Sequence, residues 1–401
     1  MADADKLLVT EAHLALNEAR RLKAERTKSL GSPIQLPGMA LSIIVRGGDA
    51  WIAENTHVIR KINLESGRTL QLFRGHTGPV TSIAFMDKHY GSGDRKILIS
   101  GSWDQTIKLW DVDSKELLSS IEAHSDFVKA LLVFPSLQLL VSTGSDKIVR
   151  LWDLSKAASG SPLKCVGVIS AHTRPVESLD GQALSSTSAN LYTADTMGMI
   201  KLWELSKDDG DDGWHSSLKQ ELNYHRTKIN EILYGNGQLW TASADETVQI
   251  KPTDQSPYLI AHPTTVRCIL PLSTTDLAEP YVLTGAGDMI RVYDVSSSQE
   301  PELISEMDAH WHDVTALRLW VRKFVGDDGR QRVEPWIISA SLDGTIRKWR
   351  LTELLKPMSS VNATSGNQEK DSEEEEKPSE PENPFQMSEE EERELADLMD
   401  D

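Results

Sequence analysis

Residues 97–111, ILISGSWDQTIKLWD, decide the fold of this chain. An apolar run at the start and a second run ending in Trp110-Asp111 flank a tight reversal at residues 103–105, which predicts two strands joined by a turn. Related stretches end at Asp153, Glu204, Asp294 and Arg350. A unit that returns about every 48 residues indicates a repeat architecture.

The composition predicts a globular intracellular protein. Hydrophobic residues make up 39% and charged residues 26% of the 401 positions. No run approaches the roughly 20 apolar residues of a membrane-spanning helix. The N-terminus, MADADKLLVT, lacks an apolar signal core, and two cysteines, Cys165 and Cys268, cannot make a disulfide framework or a metal cage. We therefore expect a cytoplasmic or nuclear protein with no cofactor and no bound metal.

The negative charge is concentrated at the C-terminal end. The formal net charge is −19, and residues 357–401 hold 16 acidic and 3 basic side chains, a net charge of −13. The remainder is therefore only mildly acidic. Nucleic-acid binding needs a net basic face that releases counterions. The charge thus argues against direct, sequence-specific nucleic-acid binding, and the partners we expect are proteins rather than membranes.

Two segments flank the repeats. Residues 1–30 are predicted to contain a helix over 3–28, because apolar residues recur there at helical spacing. This helix either packs on the rim of the repeat domain or binds a partner. Residues 357–401 are predicted to form a disordered acidic tail. Within the tail, a capping box at Ser388 and the apolar Leu395, Leu398 and Met399 predict a short amphipathic helix near 388–400, which either docks in a partner groove or only solubilises the chain.

Four residue types recur at fixed spacings through the repeats. Six histidines each stand four residues before a β-branched residue: His76, His124, His172, His225, His262 and His310. Five hydroxyl residues each stand four before an aspartate: Ser100 (Asp104), Ser142 (Asp146), Thr241 (Asp245), Thr284 (Asp288) and Ser339 (Asp343). Three tryptophans stand six beyond that aspartate: Trp110, Trp152 and Trp349. Six such units and a degenerate first unit make seven.

These spacings resemble those of the WD-repeat β-propeller family. The resemblance covers about residues 34–351 and implies an all-β fold, a seven-bladed propeller over residues 33–356. In that family the His, Ser/Thr, Asp and Trp of a blade form a hydrogen-bond relay, in which Asp and the hydroxyl engage the two His nitrogens and the indole N–H donates to the hydroxyl. The resemblance also implies that an N-terminal segment supplies the outer strand of the last blade, and residues 33–36 are the candidate.

Departures from the pattern predict which relays are incomplete. Complete relays are expected only in the second, third and seventh blades: His76, Ser100, Asp104, Trp110; His124, Ser142, Asp146, Trp152; and His310, Ser339, Asp343, Trp349. Other residues interrupt the remaining blades: Met39 for His and Ile62 for Trp in the first, Met197 for Asp in the fourth, Lys251 for Trp in the fifth and Tyr293 for Trp in the sixth. Asp195 lies two residues early in the fourth blade, and the sixth turn is one residue short.

The sequence contains no catalytic motif that stands out. The His/Asp/Ser sets recur around the ring, as structural residues would and an active site would not, so we predict that the protein is not an enzyme. Residues just after each His, and one turn tryptophan, are predicted to be displayed on one face and to bind partners. These residues are Trp103, Phe127, Arg174, Arg226, Lys228 and Trp311.

These observations predict a non-enzymatic scaffold or adaptor subunit of a multiprotein complex, with a monomeric propeller. Its docking surfaces would be the propeller face, the N-terminal helix and the acidic tail. One alternative is an escort chaperone that shields a basic client, such as a ribosomal protein or histone, with the tail. Another is a substrate receptor of a cullin ubiquitin ligase, although the Arg that often follows the Trp-Asp pair in such receptors is replaced by Asp113 and Ser155.

Overall fold

Runs of buried residues in the middle strands show how the sheets of this protein pack. The computed structural model describes residues 11–356 apart from 88–95, 209, 211–212, 254, 298–299 and 326–328. In this part, seven antiparallel four-stranded sheets surround a central channel. The second strand of a blade is apolar on both faces because neighbouring blades cover both. The predicted seven-bladed propeller is confirmed.

Each blade is a meander whose first strand lines the channel and whose fourth strand lies outermost. Blade 1 consists of β2 (Ala40–Arg46), β3 (Asp49–Glu54), β4 (Val58–Asn63) and β5 (Thr69–Arg74). Blade 2 consists of β6 (Val80–Asp87), β7 (Lys96–Ser102), β8 (Thr106–Asp111) and β9 (Leu117–Glu122). Blade 3 consists of β10 (Val128–Phe134), β11 (Leu139–Gly144), β12 (Val149–Asp153) and β13 (Lys164–Ile169). Blade 4 consists of β14 (Val176–Ala183), β15 (Ser188–Asp195), β16 (Met199–Ser206) and β17 (His215–Asn223).

The second half of the ring repeats this order. Blade 5 consists of β18 (Ile229–Gly235), β19 (Gln238–Ser243), β20 (Thr247–Pro252) and β21 (Tyr258–Ala261). Blade 6 consists of β22 (Val266–Pro271), β23 (Tyr281–Ala286), β24 (Met289–Asp294) and β25 (Glu302–Asp308). Blade 7 consists of β26 (Val314–Val325), β27 (Gln331–Ser341), β28 (Thr345–Arg350) and β1 (Ile34–Gln35). Helix α1 spans Glu11–Arg26, helix α2 spans Leu351–Leu354, and short 3-10 turns cover Pro135–Leu137, Ala157–Ser159 and Leu272–Thr274.

The ring closes through the N-terminal segment, as predicted. Strand β1 pairs antiparallel with β28, with Ile34 opposite Ile346. The Leu36 N–H donates to the Gly344 carbonyl at 2.9 Å, and the Lys348 N–H donates to the Gly31 carbonyl at 2.6 Å. Closure removes the open seam that an incomplete last blade would leave.

Apolar clusters fill the seams between neighbouring blades. The seam between blades 7 and 1 contains fully buried isoleucines from both, such as Ile52 and Ile338, with Leu36 of the closing segment beside them. Comparable clusters occupy the seams between the other blades. Because each blade buries both faces only when its neighbours are present, stability depends on an intact ring.

Helix α1 is attached by its C-terminal end, not packed along the rim. Leu14 and Leu22 are 58% and 54% exposed, whereas Thr27, just after the helix, is fully buried. The buried Arg347 guanidinium donates to the carbonyls of Thr27 and, at 2.9 Å, of Leu30. The predicted helix is therefore present, but the expectation that it packs on the rim is wrong for most of its described length. Residues 3–10 of that prediction lie outside the described residues.

Candidate partner-binding face

One face of the propeller carries the loops that precede each first strand and the turns between second and third strands. We call it the His-loop face, after His76, His124, His172, His225, His262 and His310. In blade 2, His76 Nδ1 lies 2.8 Å from Asp104, His76 Nε2 lies 2.8 Å from the Ser100 hydroxyl, and the Trp110 indole donates to that hydroxyl at 2.9 Å.

The same relay geometry is present in blades 3 and 7. The His–Asp distances there are 2.9 and 2.8 Å, the His–Ser distances are both 2.8 Å, and the Trp–Ser distances are both 2.9 Å. The relay serines Ser100, Ser142 and Ser339 are fully buried. Because no substrate can reach these hydroxyls, the relays tie loop, turn and strand together and do not form a catalytic triad.

Blade 4 also contains a complete relay, which corrects the sequence-based expectation. His172 lies 3.2 Å from Asp195 and 2.8 Å from Thr193, and the Trp203 indole donates to Thr193 at 2.9 Å. Residues 193 and 195 point to the same side of β15 because side chains alternate along a strand. The Asp195 carboxylate can therefore reach His172 although it stands two residues before the expected position. Met197, which occupies that position, is exposed.

Blades 5 and 6 hold partial relays. In blade 5, His225 contacts Asp245 and Thr241, at 3.2 and 2.7 Å, without an indole donor. In blade 6, His262 lies 2.9 Å from Thr284, but its other nitrogen faces the Ile260 carbonyl at 3.3 Å. Asp288, which the spacing assigned to this relay, instead lies 2.6 Å from Lys23 of α1. The shortened turn carries this carboxylate out of the blade toward the helix.

Blade 1 replaces the relay with a buried ion pair that the sequence analysis missed. Glu54 is fully buried, pairs with Arg60 and accepts a hydrogen bond from the Thr56 hydroxyl at 2.7 Å. Arg60 stands two residues before Ile62, the position expected for Trp. Basic residues occupy the matching position in most blades, and that recurrence was the available sequence signal.

In the relays of blades 3 and 7, burial and hydrogen bonding favour the neutral imidazole and the ionised carboxylate. Burial lowers the pKa of His124, His225 and His310. Burial alone would raise the pKa of Asp104 and Asp343, but the hydrogen bonds that they accept outweigh it and lower both pKa values. The relays of blades 3 and 7 therefore each hold a neutral donor against an anion, which stabilises the loop that bears the histidine.

Two exposed aromatic rings stand out on the His-loop face. Trp103 and Phe127 are 40% and 38% exposed, and their rings stack with centroids 4.8 Å apart and planes inclined by 16°. The Trp103 N–H donates to the Pro79 carbonyl at 3.0 Å, and the Phe127 carbonyl accepts from the Ser145 N–H at 2.8 Å. Both backbones are thus fixed, so the stacked pair is a preformed apolar surface.

The predicted basic residues differ in their availability. Arg174 and Arg226 are exposed on the same face, and neither makes an ion pair with another described residue. Lys228 is different, because its ammonium lies 3.0 Å from Glu177, which also lies 3.3 Å from Lys129. The structure therefore leaves two free arginines rather than a cluster of three free cations.

Trp311, predicted for this face, is half-buried beneath α1. It lies in the loop that leads into blade 7, beside a cleft of about 260 Å³. Leu395, Leu398 and Met399 lie outside the described residues. Among the described residues, no group of three or more His, Cys, Asp and Glu is placed to hold a metal ion. None of the described helices is long and apolar enough to cross a membrane.

Comparisons with known proteins agree with this geometry. The sequence family described as WD domain, G-beta repeat, matches residues 67–111 and 115–153. An uncharacterized WD repeat-containing protein of Schizosaccharomyces pombe is 28% identical over 84% of this chain and 86% of its own length. The target of rapamycin complex subunit wat1 of the same yeast is 28% identical over 52% of this chain and 62% of that protein.

Two further likenesses are more limited. The small ribosomal subunit protein RACK1y of Oryza sativa is 34% identical over 33% of this chain and 34% of that protein. The chain therefore spans less than two thirds of wat1 and of RACK1y. The crystal structure of the computationally designed protein Ika8 matches with a TM-score of 0.54 and 20% identity over 78% of this chain and 83% of that one, a likeness of fold alone.

The seven four-stranded blades and their histidine relays define a WD-repeat propeller. The chain carries WD repeats at residues 67–111 and 115–153, has WD-repeat relatives and folds into a seven-bladed propeller. Propellers of this family are generally interaction modules without enzymatic activity.

Proposed function

We propose that this protein is a non-enzymatic scaffold subunit that joins partner proteins in a complex, chiefly through its His-loop face. The observation that carries the proposal is the exposed Trp103–Phe127 stack. Exposed aromatic rings held in a fixed geometry cost little conformational entropy on binding and are enriched at interface hot spots.

Charge defines the complementary partner. Arg174 and Arg226 lie on the same face as the stack and have no ion pair among the described residues. A partner segment that presents an apolar side chain and carboxylates would bury the rings and pair with the arginines. Two relatives are named as parts of assemblies, one a target of rapamycin complex subunit and one a ribosomal subunit protein, which supports a role inside a complex.

The test compares partner recovery by two variants of the full chain. The face variant carries Trp103→Ala, Phe127→Ala and Arg174→Glu. The control carries Leu184→Ala and Arg68→Glu, which change exposed residues in loops on the opposite face. Quantitative mass spectrometry after affinity purification should show partners reduced at least about tenfold by the face variant only. Equal recovery by both variants would contradict the proposal.

The escort alternative makes a different prediction in the same experiment. The −13 charge of residues 357–401 would attract a basic client, so client binding would weaken with salt and fall when these residues are removed. Tail-independent binding that is lost in the face variant supports the scaffold instead. Location in the cytoplasm or nucleus is part of the proposal, and fluorescence microscopy of the tagged full chain tests it.

A further inference from the structure

A cleft separates helix α1 from blades 6 and 7 on the His-loop face. It has a volume of about 260 Å³, with Ala19, Arg20 and Lys23 on the helix side and Asp288 and the Trp311 loop on the propeller side. Small-molecule pockets usually measure about 300–1,000 Å³. The cleft lies just below this range and has room for one or two side chains of a polypeptide.

Two sets of contacts fix the position of helix α1, which forms one wall of the cleft. Lys23 lies 2.6 Å from Asp288 and 2.6 Å from Asp308, and Arg26 also pairs with Asp308. Beyond the helix, Arg347 donates to two carbonyls, where the negative end of the helix dipole favours a cation. The cleft is thus formed before any ligand arrives.

Blade 6 loses part of its own relay in this arrangement. In blades 2, 3 and 7 the turn aspartate binds the loop histidine, but in blade 6 the turn is one residue shorter and Asp288 binds Lys23. His262 is left against a backbone carbonyl. The carboxylate that would stabilise the blade positions the helix instead, so the cleft is a built feature of this propeller.

The unpaired groups in the cleft define its ligand. Asp288 is neutralised by Lys23, and Asp313 lies 2.6 Å from Arg267. Arg20 is exposed and makes no ion pair with another described residue. Half-buried Trp311 offers a flat apolar surface. What remains is one cation, Arg20, beside the Trp311 ring, whose centroid lies 5.9 Å from that of the neighbouring His312 imidazole. Trp and Arg are among the residue types most enriched at interface hot spots.

We propose that this cleft is a second docking site, which takes a short segment of a partner protein in which an apolar side chain adjoins Asp or Glu. The apolar side chain packs on Trp311, and the carboxylate pairs with Arg20. The site rests on the proposed scaffold function but is distinct from the Trp103–Phe127 surface. A nucleic acid is a poorer ligand, because the whole chain carries a net charge of −19.

The test uses the full chain and an array of 12-residue peptides. Each peptide has one central Trp, Phe or Leu flanked by Asp and Glu, by Lys and Arg, or by Ser. We expect retention of the acidic set. Fluorescence anisotropy with the best peptide should show binding weakened at least about tenfold by Trp311→Ala and by Arg20→Glu. Lys28→Glu, the same charge change on an exposed residue outside the cleft, and Trp103→Ala should leave binding unchanged.

Several results would overturn this site. They are retention of basic peptides as strongly as acidic ones, retention of no peptide, tighter binding of a 12-nucleotide oligo-uridine, and loss of peptide with Trp103→Ala but not with Trp311→Ala. Arg20 lies on an exposed helix surface, so Arg20→Glu keeps the test valid if Trp311→Ala does not fold. If partners are recovered through the Trp103–Phe127 surface while no peptide enters the cleft, this site fails and the scaffold function stands.

Discussion

Replacing His262 with Gln should weaken the pH dependence of the stability of this protein. His262 is buried, and its Nδ1 faces the Ile260 carbonyl rather than a carboxylate. Burial lowers its pKa to about 4, with a smaller contribution of the same sign from Arg291. The other loop histidines that we describe contact an aspartate. His262 is therefore the one for which protonation in the folded state has the least compensation.

The direction and size of the pH effect follow from the linkage between proton binding at His262 and unfolding. A histidine in an unfolded chain titrates near pH 6.5. Between pH 6.5 and about 4, the unfolded state binds a proton at His262 that the folded state does not, so the free energy of unfolding falls as the pH falls through this window. Each pH unit corresponds to about 1.4 kcal/mol, so His262 should account for a loss of about 2 kcal/mol between pH 6.5 and 5.

Urea unfolding at pH 7.5 and 5.0 measures this contribution. At pH 7.5, His262→Gln should be less stable than the wild type because it loses packing and the bond to Thr284. At pH 5.0 the difference in free energy of unfolding between the wild type and His262→Gln should be smaller by about 2 kcal/mol. The contributions of the other histidines are the same in both proteins and cancel. His57→Gln, a control at an exposed turn position, should follow the wild type. Equal pH dependence of the wild type and His262→Gln would refute the reasoning.

Two further predictions concern ring closure and the blade 4 relay. Gly31→Ala should lower the free energy of unfolding, measured in urea, by about 2 kcal/mol or more, because Gly31 has φ +63° and a Cβ would lie 2.7 Å from the Trp349 ring. Gly47 has a similar φ of +59° but open space around it, so Gly47→Ala should lower the free energy of unfolding by less. Equal losses in the two variants would rule out the clash. Asp195→Asn should cost about 1–3 kcal/mol, since it weakens a buried charged hydrogen bond, whereas Met197→Asp should change stability by less than about 0.5 kcal/mol. Full rescue of Asp195→Asn by Met197→Asp would show that the relay position was misassigned.

Sequence spacing predicted the architecture because the residues that carry it act within one blade. Each blade with a complete relay contains a loop histidine, a hydroxyl on its second strand and a tryptophan on its third, all within about 40 residues. The same spacing therefore recurs in successive blades. The spacing depends on local order and period, which a single sequence displays directly. Closure by residues near Ile34 joins distant parts of the chain, and it was predicted from the resemblance to the propeller family once the last blade lacked a fourth strand.

The details of the candidate sites depend on the direction in which each side chain points and on contacts between residues far apart in sequence. Sequence spacing shows neither. Spacing predicts the relay carboxylate of blade 4 at position 197, but a strand places residues 193 and 195 on one side, and Asp195 binds His172. Lys228 matched the expected basic pattern, but Glu177 of the neighbouring blade pairs with it. Lys23 and Asp288 lie near opposite ends of the propeller sequence and meet only once the ring has closed.

Helix α1 links the departures of blades 6 and 7 from the repeat pattern. In blade 6 the turn aspartate, Asp288, holds Lys23 instead of His262. In blade 7, Arg347 stands where blade 3 uses Arg150 to bind its own turn aspartate at 2.8 Å, yet it donates to the chain that follows the helix. Blades 6 and 7 thus each direct a side chain of the relay region toward the N-terminal segment, which also supplies β1. Because a partner that binds in the cleft beside Trp311 would bind only the folded propeller, its binding should raise the melting temperature of the whole propeller.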